Sequence, residues 1–369
     1  MRKTNRLALA AALLAFAQMP HAGKAARDDL PTLFDEDTLL YFEIPSVPQL
    51  QEDWRENPFY ELYQREDVRT FVDALIAAFR EENFKGLEEG FDENDEVILE
   101  GLLSGQIAFG ISRFDVLSFL PTPGAREGVT PPETAPPNFW LVFDFEDEGL
   151  KEKLIADMEE EEDEFIEYED FYIILDEGIS VAYNDDIAAV TNNEENAIKF
   201  IDRYLEKDSQ NSLADSDAFQ LSFSEFYDNS SLYLFVDLSI IADTAERAAA
   251  RYEGMTTQMV AQGQLAPPET VLSALGLNTF RSFSVSADAD PSELKARMQL
   301  HLEPNEGFFG KFFSHYGDSL PDISFLGEDL RQASASSFDI SGMLHDLEQT
   351  IAIISPFAGQ LYFGQKAQM

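Results

Sequence analysis

The chain contains no cysteine. That removes disulfides, thiolate metal sites, thiol nucleophiles and dithiol redox motifs from consideration. Histidine is scarce as well, with four in 369 residues, and one of these, His21, sits in the N-terminal segment. The other three, His301, His315 and His345, show no His-x-x-x-His spacing, so a zinc centre of that type is excluded. Positive charge is short: 25 Lys plus Arg stand against 70 Asp plus Glu, for a net of −45. Such a surface repels nucleic acid and anionic membrane faces. It suits a saline medium or divalent cations, which screen self-repulsion, and its simplest use is solubility. No apolar run reaches the roughly 20 residues that a membrane-crossing helix needs.

The longest apolar run is Leu7–Ala17, 11 residues, preceded by Arg2, Lys3 and Arg6. Small residues follow, with cleavage pairs at Ala15/Ala17 or Gly23/Ala25. This is the pattern of a secretory signal peptide over residues 1–25. With no twin arginine and no cysteine to carry a lipid, the mature protein is expected free in the periplasm or outside the cell. Zero cysteine is compatible with an oxidising compartment, because a chain of this length can bury a sufficient core without cross-links.

What organises the remainder is a strand that leads into a helix. Thr38–Ser46 (TLLYFEIPS) aligns without gaps on Leu232–Ile240 (LYLFVDLSI), matching Leu40 to Leu234, Tyr41 to Phe235, Phe42 to Val236, Glu43 to Asp237 and Ile44 to Leu238. A fainter third copy is Ser337–Ser341. Strand geometry puts Leu40, Phe42 and Ile44 on one face, expected to meet the core, with Tyr41 and Glu43 on a less covered one. The pattern suggests an internal duplication, with units at 26–222 and 223–330 and the start of a third at 331–369. The sequence stops soon after that third copy begins, which suggests a piece of a longer chain.

Helix signals follow at Ser46 with Gln49, over Val68–Phe79, at Asn94–Ser104, over Asp147–Met158, at Asn192 with Glu195, after Ser239, and after Ser341. Strands read at 106–112, from Phe139, and over 171–175, 179–183 and 187–191. Residues 118–138, rich in proline, form an excursion, and the acidic run Asp157–Glu164 with Glu167, Glu169 and Asp170 reads as a solvated turn. In a hairpin, Phe283, Val285 and Ala287 alternate with serines, and Ala296, Met298 and Leu300 alternate with Lys295, Arg297, Gln299 and His301. The apolar set of each strand is expected to face the core. The fold class is α+β, a mainly antiparallel sheet with helices packed on one face and repeated strand–helix units.

Taken together, Leu30–Leu33, Thr38–Ser46, Trp54, Asn57–Tyr60 and Val68–Phe71, with Gly276–Ser284 later, resemble a group of large exported bacterial proteins of uncharacterised role. The resemblance implies export, repeated strand–helix units and often a longer chain, and transfers no active-site residue.

Few residues offer chemistry. Gly317–Asp318–Ser319–Leu320 spells the nucleophile block of an esterase and lipase family, making Ser319 a candidate nucleophile with His315 or His345 as base. Its position late in the chain and the six-residue gap from Asp339 to His345 do not follow that family. Ser292-Glu-Leu-Lys295 matches Ser-x-x-Lys but falls on a strand, not on the helix that motif requires. Asp92, Asn94 and Glu96 alternate like calcium ligands, though Val97 stands where such a loop needs glycine, so only weak Ca²⁺ association is expected. The 31 phenylalanines fill a core or line a cavity for an apolar ligand. The favoured reading is an exported envelope or extracellular binding or structural protein without catalytic activity. Its alternatives are a hydrolase using Ser319 and a carrier of an apolar ligand.

Overall fold

A computed structural model describes residues 30–71, 74, 101–112, 137–145, 165–176, 178–207, 210–224, 226, 230–251, 257, 259–289, 295–303, 307–315 and 338–360. Among these residues ten strands form a single sheet: β1 (Thr38–Ile44), β2 (Gln106–Ser112), β3 (Asn138–Asp144), β4 (Phe165–Tyr168), β5 (Phe171–Asp176), β6 (Ile179–Tyr183), β7 (Ile187–Thr191), β8 (Leu232–Asp237), β9 (Phe280–Asp288) and β10 (Lys295–Leu302). Their spatial order is β10-β9-β8-β1-β2-β3-β7-β6-β5-β4, and the sheet is antiparallel, so the α+β class holds. The helices used below are α1 (Val47–Glu56), α2 (Pro58–Tyr63), α3 (Glu194–Tyr204), α4 (Asp217–Phe223), α5 (Ile240–Arg251), α6 (Pro268–Leu275), α7 (Gly307–Phe312) and α8 (Ile340–Ile354).

β8 and β1 lie side by side, third and fourth from the β10 end, with Tyr41 opposite Phe235 and Glu43 opposite Tyr233. From that seam each strand is followed outward by its next two in sequence, β2 and β3 on one side, β9 and β10 on the other. The described part of the third copy is a single bridge residue, Phe338, that runs through Asp339 into a helix. Asp339 caps a helix by accepting from the Gly342 N–H at 3.0 Å, and Ile340 and Ser341 already lie in its first turn. Ser341 is therefore not the cap, and Asn193 rather than Asn192 caps α3. In both places the neighbour's side chain reached the free N–H groups first. Ser46 does cap α1, accepting from the Gln49 N–H at 3.2 Å, but the Gln49 side chain turns to Asp53 instead of closing the box.

Two compact units emerge, each built from several segments of the chain. Described residues of the first fall within 30–114, Pro136–Val236 and Phe283–Gln299, and those of the second within Asp237–Ser282 and Leu300–Met369. In the first unit the inner strands of the sheet are buried on both sides. On one side Tyr41, Trp140, Val142, Phe171, Ala189 and Phe235 meet Phe34 and helices α3 and α4 through Phe200, Ile201 and Phe219. On the other, Ile44, Ile107, Leu141, Phe143 and Val190 meet Val47 and Leu50 of α1. Among the described residues α3 and α4 cover one side and α1 the other. In the second unit α6 packs against α5, α7 and α8. It ends at Gly276, whose φ of 75° is the left-handed conformation glycine adopts without a Cβ penalty.

Three register readings need correction. The Tyr41/Glu43 face of β1 is not the less covered one: Tyr41 is fully buried and Glu43 nearly so, whereas Leu40 and Phe42 are half-buried. On β9 the buried residues are Ser282, Ser284 and Ser286, while Phe283, Val285 and Ala287 are half-buried. On β10 the apolar set is exposed, with Met298 at 70%. A period of two proves that the faces differ, but what lies over each face decides which is buried. Finally, β4 falls inside the stretch read as a solvated turn. The alternation Phe165-Ile166-Glu167-Tyr168 is short and masked by acids, yet it pairs with β5 from Phe165↔Ile174 to Tyr168↔Phe171.

Candidate functional site

The described part of the second unit holds a groove of about 440 Å³. Its walls come from α6 (Glu269, Ser273), the start and middle of α7 (Gly307, Lys311) and α8 (Asp346, Gln349). Its volume is within the range of small-molecule pockets. The lining is mainly polar and carries both signs of charge, so it is not the phenylalanine-lined cavity that a carrier of an apolar ligand requires.

Beside the groove stands a histidine–carboxylate pair. His315 Nε2 lies 2.9 Å from Asp346 Oδ2, with the two side chains 12% and 20% exposed. The His315 carbonyl accepts from the Asp339 N–H at 2.7 Å. Asp339 and Asp346 are seven residues apart on α8 and so share a helical face. A segment that docks along that face meets the first by its amide and the second by its carboxylate. Gly342 lies between them. A Cβ there would come within 2.7 Å of His315 Nδ1 and 2.5 Å of Asp339 Oδ2. The imidazole therefore lies flush against the helix, with one nitrogen turned to Asp346 and the other to the Gly342 backbone.

This placement bears on each residue singled out from sequence. His315 is in a pair, but with Asp346, 31 positions on, and no spacing rule links them. The readable sign was Gly342 between two acids on one helical face. His345 is exposed and its Nε2 lies 2.8 Å from Gln349 Nε2. Ser319, and with it the Gly317–Leu320 motif, lies outside the described residues, as do Asp92, Asn94 and Glu96. Among the described residues no group of three His, Asp or Glu is placed to hold a metal ion.

Sequence reasoning missed two buried polar constellations in the first unit. At the β1–β2 seam the Tyr41 hydroxyl donates to Glu43 Oε2 at 2.5 Å and Gln106 Nε2 donates to Glu43 Oε1 at 2.7 Å. Burial, and then the charge of Glu43, push the Tyr41 phenol well above its usual pKa. Asp35 is likewise buried. Arg203 Nη2 lies 2.9 Å from its Oδ1, and Lys199 Nζ joins the same oxygen. Arg203 also donates to the carbonyl of Asn211 at 3.0 Å, so the arginine ties the N-terminal segment to α3. The Glu43 constellation is enclosed and its two oxygens are satisfied, the condition under which buried charge is tolerated, whereas Asp35 is matched by charge while its Oδ2 and Arg203 Nε find no hydrogen-bond partner among the described residues.

Comparisons with known proteins add little. No family model matches the chain, and no curated protein matches it. Two solved structures, of crystal forms I and III of TP0453, align at 10% identity over 79% of this chain and 84% and 86% of theirs, with TM-scores of 0.36 and 0.35. Similarity at that level carries no argument about fold or function.

Proposed function

We propose that the protein is an exported envelope or extracellular binding and structural protein without catalytic activity. The observation that carries this is α8. Ile340 (61% exposed), Leu344 and Ile351 are exposed along one stripe of that helix, and Phe357 follows in the next turn at 58%. An apolar stripe open to water on a chain of net charge −45 has a use only if an apolar surface covers it. The N-terminal basic-then-apolar segment supports export. Among the described residues no helix is long and apolar enough to cross a membrane. The seam between β1 and β8, flanked on each side by the next two strands, supports a duplicated strand–helix–hairpin unit of the kind found in the large exported bacterial proteins the sequence resembles. A hydrolase built on Ser319 would need an imidazole nitrogen aimed at the hydroxyl, and both His315 nitrogens face α8.

Native mass spectrometry of the protein purified from its host tests the reading. The wild type is expected to retain an apolar ligand or a partner protein, and the double variant Leu344→Lys/Ile351→Lys to lose it with an unchanged circular dichroism spectrum. A bare wild type whose Nile red binding equals that of the variant contradicts the reading. Ester hydrolysis that disappears in Ser319→Ala replaces it with the enzymatic one.

A further inference from the structure

Among the described residues the sheet is open, and its two ends are unlike. Among the described residues neither β4 nor β10 has a strand on its outer side. Each end shows apolar side chains to solvent: Phe165 and Ile166 on β4, Met298 and Leu300 on β10. An edge of this kind is a template for a further strand.

Charge separates the two edges. β10 (Lys295-Ala-Arg-Met-Gln-Leu-His-Leu302) carries a lysine and an arginine and no acid, in a chain where acids outnumber bases 70 to 25. Lys295 and Arg297 also engage groups within their own chain. β4 carries Glu167, is followed by Glu169, which pairs with Lys207, and by Asp170, and is preceded in sequence by Glu159-Glu-Glu-Glu-Asp-Glu164. Pairing β10 with β10 would set basic residues against each other, and pairing β4 with β4 would do the same with acids. Like charges across a strand pair are destabilising and opposite ones favourable.

We propose that this protein self-associates head to tail, the β4 edge of one copy adding as a strand to the β10 edge of the next. The contact is heterologous, so each added copy presents a fresh β10 or β4 edge and the assembly extends without closing at a dimer. The large net negative charge opposes it, and growth therefore requires concentration. The stripe on α8 takes no part, so this inference stands or falls independently of the function proposed above.

Sedimentation velocity of the full chain from low to high micromolar concentration provides the test. For the wild type the weight-average mass is expected to rise through and past that of a dimer. Met298→Asp blocks the β10 edge and Ile166→Lys the β4 edge, both at exposed positions that leave the circular dichroism spectrum unchanged. Each variant alone is expected to stay monomeric. Their equimolar mixture is expected to give one-to-one dimers, because one unmodified edge of each kind remains. Three outcomes overturn the proposal: a wild type that stays monomeric, including the case in which another protein occupies β10; a wild type that plateaus at a dimer; or a mixture of the two variants that remains monomeric.

Discussion

Glu43 shows how a single carboxylate can be tolerated in a core. Its oxygens accept from Tyr41 and Gln106, so the charge is distributed over two short hydrogen bonds. Tyr41 shares the consequence, since its phenol resists ionisation in the folded state. Tyr183, raised first by burial and then by Tyr172, behaves in the same way. In the unfolded chain both phenols ionise near pH 10. Above that pH the unfolded state binds fewer protons than the folded one, so stability present in full below about pH 10 falls as pH rises, by roughly 1.4 kcal/mol per pH unit per tyrosine. Tyr41→Phe is expected to flatten that alkaline loss. At neutral pH it costs about 1–3 kcal/mol, because a buried carboxylate oxygen loses a donor. Urea melts of both proteins from neutral to alkaline pH measure the two effects together. An unaltered alkaline slope in the variant would show that the phenol titrates normally.

At the scale of elements, α8 joins two behaviours on one helix. One side holds His315 through Asp339 and Asp346, and another presents Ile340, Leu344 and Ile351 to water. Gly342 makes the first possible. Replacing a helix-interior glycine with alanine ordinarily stabilises a protein by up to about 1 kcal/mol. Here the sign is expected to reverse, because the added methyl group would press on the imidazole and on the capping carboxylate. Gly342→Ala should lower the melting temperature, with a net loss of about 1–2 kcal/mol, and shift the His315 ring resonances in a proton NMR titration. A raised melting temperature would mean that the His315 segment does not pack against α8. The elements also show where sequence reading succeeds. The strands at 106–112, 179–183 and 187–191 were legible as alternating or buried runs between turn residues. β4 was not, since four residues among acids give periodicity too little length to speak. The His315–Asp346 pair was illegible for another reason: its partners are adjacent only through docking of one segment on a helix face.

For the molecule as a whole, self-repulsion is the dominant electrostatic fact. With a net of −45, raising salt from about 0.01 M to about 0.5 M should raise the melting temperature, as the screening length falls from about 30 Å to below 8 Å. Melting in CaCl₂ and NaCl at matched ionic strength separates screening from the weak calcium association expected at Asp92, Asn94 and Glu96. Equal shifts would rule that association out, and a larger shift in calcium would support it.

What the sequence determined by itself was local and periodic. It set which residues alternate, that Ser46 caps a helix, that Leu40, Phe42 and Ile44 share a face, and that the chain is strongly acidic. These follow from bond geometry and composition, which need no partner across space. The tertiary structure alone decided that Tyr41 sits opposite Phe235, that the serines of β9 are the buried set, that Met298 is exposed, and that His315 meets Asp346. Burial and pairing depend on whatever comes to rest over each face, and that is set by packing among segments far apart in the chain.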